Sequence, residues 1–182
     1  MASTCETITC SDACDDNLPE VEFTICAPEV NSGEIDAIFL TNIGNPLTDE
    51  NSALEWNTRL AATDDTKIIE LHVIGDKPAA TENEIVISRN TIVSGNKDHV
   101  INIEIQQTNH TNYEFMRSME CGRKVLGWYR TSGGKLYGGK DGIEMTVRLN
   151  HIIPKSNKEI TTFAGTAKWS AKFHPCETNS VI

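Results

Sequence analysis

Three groups of residues in this 182-residue chain have types and spacings that could do chemistry. The first is Gly134 to Asp141, GKLYGGKD, which fits the phosphate-loop pattern G-x-x-x-x-G-K up to its last residue. A nucleotide-binding loop needs a Ser or Thr hydroxyl there for magnesium, and a helix start after it to aim N–H groups at the phosphates. Asp141 instead brings a negative charge, and Ile143–Asn150 alternates like a strand. The stretch is expected to be two tight turns, since glycine is the residue that takes positive φ without cost. The second group is cysteine. Cys5, Cys10, Cys14 and Cys26 crowd the N-terminal region, with Cys121 and Cys176 apart. Four thiolates could hold zinc, but structural zinc sites use two closely spaced pairs, and here the last comes eleven residues late. The third group is the Trp128-Tyr129 pair with Tyr137, a candidate stacking platform for a sugar or base. Neighbouring strand residues face opposite sides, so one ring of the pair is expected in the core.

Catalysis finds no constellation. Cys121 precedes Gly122, Arg123 and Lys124. The cations would favour a thiolate, but the end of the preceding helix has the wrong dipole for one. A buried or capping Cys121 is expected. Asp15-Asp16 and Asp64-Asp65 sit in an arm and a turn, where carboxylates are solvated. The histidines, His72, His99, His110, His151 and His174, show no metal-ligand spacing and are expected as strand or loop residues. No catalytic residue, metal ligand or cofactor is assigned.

The elements that would position these residues are mostly strands. Met145, Val147 and Leu149 alternate with Thr146, Arg148 and Asn150. In Phe163–Phe173, Phe163, Ala167, Trp169, Ala171 and Phe173 share one face and Thr166, Lys168, Ser170 and Lys172 the other. Period-two alternation marks half-buried antiparallel strands. Further strands are expected over Glu20–Cys26, Ile35–Ile43, Lys67–Ile74, Glu84–Ser88, Thr91–Val93, His99–Gln107 and Lys124–Arg130. A turn is expected at Ser94–Lys97. A helix within Asp49–Ala62 is predicted by the capping box Ser52/Glu55 and the Trp56/Leu60 pair. A second, over Thr111–Cys121, is predicted by Thr111/Glu114 and the Gly122 stop, with Phe115 and Met119 facing the sheet.

Residues 1–18 read as a flexible acidic, Cys-containing arm, 19–176 as a single β-rich domain and 177–182 as a C-terminal tail. No positive n-region or apolar run opens the chain, and no stretch approaches a membrane span, so a cytosolic compartment and no membrane partner are expected. A reducing compartment argues against a disulfide framework. The net charge of −10 is uneven: residues 1–60 hold twelve acids and one base, Arg59, whereas residues 121–182 hold ten bases and four acids. Such asymmetry suits head-to-tail contact between copies. Net acidity disfavours tight nucleic-acid binding but suits a channel that DNA slides past.

The segment CGRKVLGWYRTSGGKLYGGKDGIEMTVRL, within Thr111–Phe173, resembles the C-terminal part of virion proteins from tailed phages of Bacteroides-type hosts, the crAss-like group among them. Those are neck-ring or tail-tube-like components. The resemblance implies a mainly β fold, a β-sandwich or rolled barrel with one or two short helices. It implies a structural virion component of the phage neck or tail, a head–tail connector or tail tube assembled in the host cytoplasm. It implies homo-oligomer rings of six or twelve, neighbouring neck or tail proteins as partners, and DNA passing through the lumen without specific binding. The residues expected at the assembly interface are Trp56, Arg59, Asp64, Asp65, Lys168 and Lys172, with the Asp49–Ala62 segment reaching a neighbour. The alternative is a carbohydrate- or ligand-binding β-sandwich module on a fibre or surface assembly.

Overall fold

The computed structural model describes residues 33–88 and 91–182. The arm, the Glu20–Cys26 strand and Cys5, Cys10, Cys14 and Cys26 lie outside the described residues. In chain order the elements are β1 (Ile35–Thr41), α1 (Ala53–Ala61), β2 (Ile69–Asp76), β3 (Thr81–Ser88), β4 (Thr91–Ile105), α2 (His110–Met119), β5 (Arg123–Thr131), β6 (Lys135–Tyr137), β7 (Ile143–Ile152), β8 (Thr162–Ala171) and β9 (Glu177–Asn179). The fold is mainly β, as the alternation predicts.

Hydrogen bonding runs β1–β2–β4–β8–β7–β5 and returns to β1, so six antiparallel strands close into a barrel. Alternate residues of these strands fill it. Ile101, Ile103 and Ile105 from β4, Met145, Val147 and Leu149 from β7, and Phe163, Ala167 and Trp169 from β8 belong to one buried cluster. Helix α2 adds Met116 and Met119 to that cluster.

β1 departs from the half-buried pattern. Its odd residues from Ala37 join a second cluster outside the barrel wall, while Ile38 and Leu40 point into the barrel. The second cluster holds Ala37, Phe39, Leu47, Trp56, Ile68, Leu126, Trp128 and Leu136, and α1 covers it. A bulge between Ile35 and Ala37 shifts the phase, which is why Ile35 shares the interior with Ile38. Ile43, the last residue of the strand expected here, lies past the end of β1 and is exposed.

Both helices occur, with shifted details. Ser52 caps α1 by accepting from the Glu55 N–H, but Glu55 does not close a capping box. Its carboxylate accepts from the Thr48 and Asp49 N–H groups and so pins the entering loop. In α2 the cap is Asn109, whose Oδ1 accepts from the Asn112 N–H. The cap lies two residues before Thr111, and the buried face becomes Met116 and Met119, with Phe115 only partly buried against the core.

Two further expectations are corrected. Ser94–Lys97 is not a turn, because β3 and β4 continue through it as a hairpin. Glu84 faces Ser94 and Glu82 faces Lys97, so three steps on β4 match two on β3 and the extra residue bulges. Gly95 tolerates the bulge: a Cβ there would stand 2.6 Å from the Asn83 carbonyl oxygen. Nor is 177–182 a free tail. Glu177–Asn179 pairs with β6, and the Arg130 Nη1 donates to the Ile182 carbonyl at 3.0 Å.

The β3–β4 hairpin extends past the barrel. β4 contacts β8 only from Lys97 onward, so Thr91–Asn96 pairs with β3 alone. Among the described strands β3 pairs with β4 only, leaving its outer edge open. Thr81–Ile85 is exposed on both faces, with Ile85 57% accessible.

Candidate functional site

The glycine-rich stretch is a lid over an indole. Gly138 and Gly139 take φ of 134° and 58°, and the Gly139 carbonyl accepts from Trp128 Nε1 at 2.6 Å. A Cβ on Gly138 would stand 2.4 Å from Trp128 Cδ1. β7 follows after one more turn, so no helix start faces this loop. The aromatic pair offers no platform either. Trp128 joins the outer cluster and Tyr129 the barrel interior, so both rings of the pair are core.

The six residues expected at an interface fall into three groups. Trp56 is fully buried, packed edge-on against Phe39 and Trp128, with Nε1 donating to the Glu50 carbonyl at 3.0 Å. It therefore has no surface to offer a neighbour, and α1 presents Leu54, 78% exposed, instead. Arg59 is buried too. Its Nε, Nη1 and Nη2 donate to the carbonyls of Thr66, Pro46 and Asn45, tying the loops on both sides of α1 together. Burial lowers its pKa from the ordinary value, and Glu55 and Asp64 oppose that shift.

Asp64 and Asp65 are exposed. Asp64 accepts from the N–H and hydroxyl of Thr66, which holds its pKa below the usual carboxylate value. Lys168 and Lys172 are exposed, Lys172 lying one residue past β8. Lys168, Thr146 and Lys124 form one cross-strand row over β8, β7 and β5. With Arg148, also exposed on β7, they make a basic patch on the barrel wall. Glu70 and Asp76 are exposed on β2, three strands away from β7 either way around the barrel.

Cysteine chemistry differs from expectation. Cys121 is exposed and free, beyond a helix that ends at Met119 with Glu120 as C-cap. Cys176 is disulfide-bonded, which runs against the expectation of a chain without disulfides that its compartment suggested. Among the described residues no group of three or more His, Cys, Asp or Glu could hold a metal ion.

One polar cluster was not singled out by sequence. His99, on β4, is fully buried with both ring nitrogens unpartnered, stacked on Trp169 at 5.0 Å. His174 packs edge-on against it at 5.2 Å, and Lys77 Nζ lies 3.5 Å from His174 Nδ1. Burial first and Lys77 second lower the pKa of both histidines, and burial lowers that of Lys77. Beside them opens a concavity of about 280 Å³, lined by Ile35, Lys77, Tyr129, Thr131, Tyr137 and His174, with Gly33 at its rim. A signal for His99 existed, since it is in phase with the inward Ile101, Ile103 and Ile105. Lys77 and His174 come from separate loops, and nothing in their spacing joins them.

No family model matches the chain, and no curated protein is detectably similar to it. Among the described residues no helix is long and apolar enough to cross a membrane.

Proposed function

We propose that the chain is a structural virion component that assembles into a ring in the neck or tail of a phage, as a tail-tube-like barrel. The observation that carries this reading is the β3–β4 ribbon. It extends past the barrel, and among the described strands β3 pairs with β4 alone, so its other edge is open to a further strand. An open strand edge is a template for pairing with another chain, and in a ring each copy can offer its ribbon to the next. A cyclic ring is heterologous, so one surface must complement a different one. The acidic exterior of β2 and the basic row on β5, β7 and β8 stand on opposite sides of the barrel, which suits a head-to-tail neighbour. DNA would pass through the lumen of such a ring without specific contacts.

The test is the mass of the native particle by light scattering, with electron microscopy of the same sample. Rings of six or twelve are expected. A variant with residues 82–97 replaced by a short turn should give a folded monomer. A wild-type chain that stays monomeric at high concentration sinks the reading.

A further inference from the structure

The Lys77–His99–His174 cluster is unused by an assembly role and does not depend on it. Three basic groups from three segments converge here, and no described carboxylate lines the concavity beside them. The nearby charges are already committed. Lys97 holds Glu82 at 2.5 Å, while Glu177 accepts from the Tyr137 hydroxyl at 2.9 Å and binds Lys135 at 3.2 Å. Among the described residues, half-buried Lys77 has the His174 ring as its single polar partner. A desolvated cation is normally matched by an anion, and a buried imidazole normally by a hydrogen bond.

We propose that the concavity binds a small dianionic oxyanion, with Lys77 and His174 as the contacting cations and His99 supporting the His174 ring from behind. The ligand chemistry is two negative charges on oxygen, as in a phosphate ester or a dicarboxylate. Tyr129 and Tyr137, stacked on each other at 4.8 Å, border the concavity on one side. The volume suits a ligand at the small end of the usual range of pockets. Charge-assisted hydrogen bonds from Lys77 and a protonated His174 would orient the anion. Binding therefore takes up a proton, and affinity must rise as pH falls through the histidine range.

The experiment titrates the full-length wild-type chain with phenyl phosphate and, separately, malonate, by calorimetry and by NMR of the histidine rings. At least one probe should bind about tenfold more tightly near pH 6 than near pH 8 and shift the His174 resonances. Which probe binds separates the phosphate from the carboxylate source. Lys77→Met and His174→Gln should each weaken binding about tenfold or more, whereas Lys158→Met, on the exposed β7–β8 loop, should not. His174 is exposed, so His174→Gln remains informative if Lys77→Met disturbs folding. Failure of both probes to bind overturns the proposal. So does binding that survives both cluster variants, or that Lys158→Met weakens equally.

Discussion

The imidazole of His99 lies flat on the indole of Trp169, centroids 5.0 Å apart and planes 7° from parallel, and the two residues face each other across the β4–β8 ladder. Stacking covers one face of the imidazole, and neither nitrogen makes a hydrogen bond of good geometry. His99→Phe keeps the stack and removes the unmet polar groups, so stability should rise by about 1 kcal/mol in urea unfolding.

The same residue sets a pH dependence. Burial first and Lys77 second hold the folded pKa of His99 below its ordinary value; the Ala171 backbone opposes them, and His174 and Lys97 add smaller contributions in the same direction as Lys77. As pH falls through about 6.5 the unfolded chain protonates first. Stability from this group is whole above that pH and declines below it. The decline between about pH 6.5 and pH 5 should be shallower in His99→Phe; His174, shifted the same way, retains the remainder. Parallel melting-temperature curves for the two proteins over that window would contradict this account.

Gly138→Ala should be among the most damaging single-methyl changes in the chain. It places a Cβ against Trp128 at a φ of 134°, which alanine avoids. A loss of about 2–4 kcal/mol is expected, a fall of several degrees in Tm at this chain length, read by calorimetry. Gly134→Ala meets open space but keeps the strained φ of 80°, and should cost about 1 kcal/mol.

Arg59→Met retains the stem and removes the donors that three loop carbonyls share. Stability should fall by about 2–4 kcal/mol, and hydrogen exchange should quicken in residues 45–51 and 62–67. Arg59→Lys should recover only part of this, because an ammonium cannot span the three directions of a planar guanidinium.

Reversing Lys168 and Lys172 to Glu should slow assembly and reduce its sensitivity to salt, without unfolding the exposed end of β8. Exposed charges set encounter rate and register more than affinity. Light-scattering rates that ignore salt in wild type and variant alike would show that the charge asymmetry serves solubility alone.

Strand alternation made most of this fold legible from sequence. Met145–Leu149 and Phe163–Trp169 read inward and are inward, because a closed barrel has one dry face and one wet one. β1 misled for the same reason: α1 covers its outer side, so Phe39 and Ile38 are buried on opposite faces. The Ser94–Lys97 signal was genuine chemistry in the wrong setting, since Gly-Asn suits a bulge as well as a turn. In α2 Asn109, two residues before Thr111, caps the helix, and Met116 joins Met119 as the fully buried pair while Phe115 packs only partly buried against the core. Trp56 attracted an interface role because a large aromatic on a short helix suits contact. Only its three-dimensional neighbours, Phe39 and Trp128, show that the contact is internal. The Lys77, His99 and His174 cluster stayed hidden because its members are brought together by three separate chain excursions.

Closing β1 onto β5 has a consequence during synthesis. Ile38 must find Tyr129, and β8, which separates β4 from β7, ends at Ala171. A ribosome therefore has to release the chain through Ala171 before the cylinder can shut. Until then β4 and β7, which β8 joins, carry bare hydrogen-bonding edges beside apolar side chains, and contacts of such high sequence separation form slowly. Nascent chains of this protein are thus at their stickiest just before β8 emerges, and a chaperone that holds them until β8 is out would raise the yield of native protein more than one acting on the early strands.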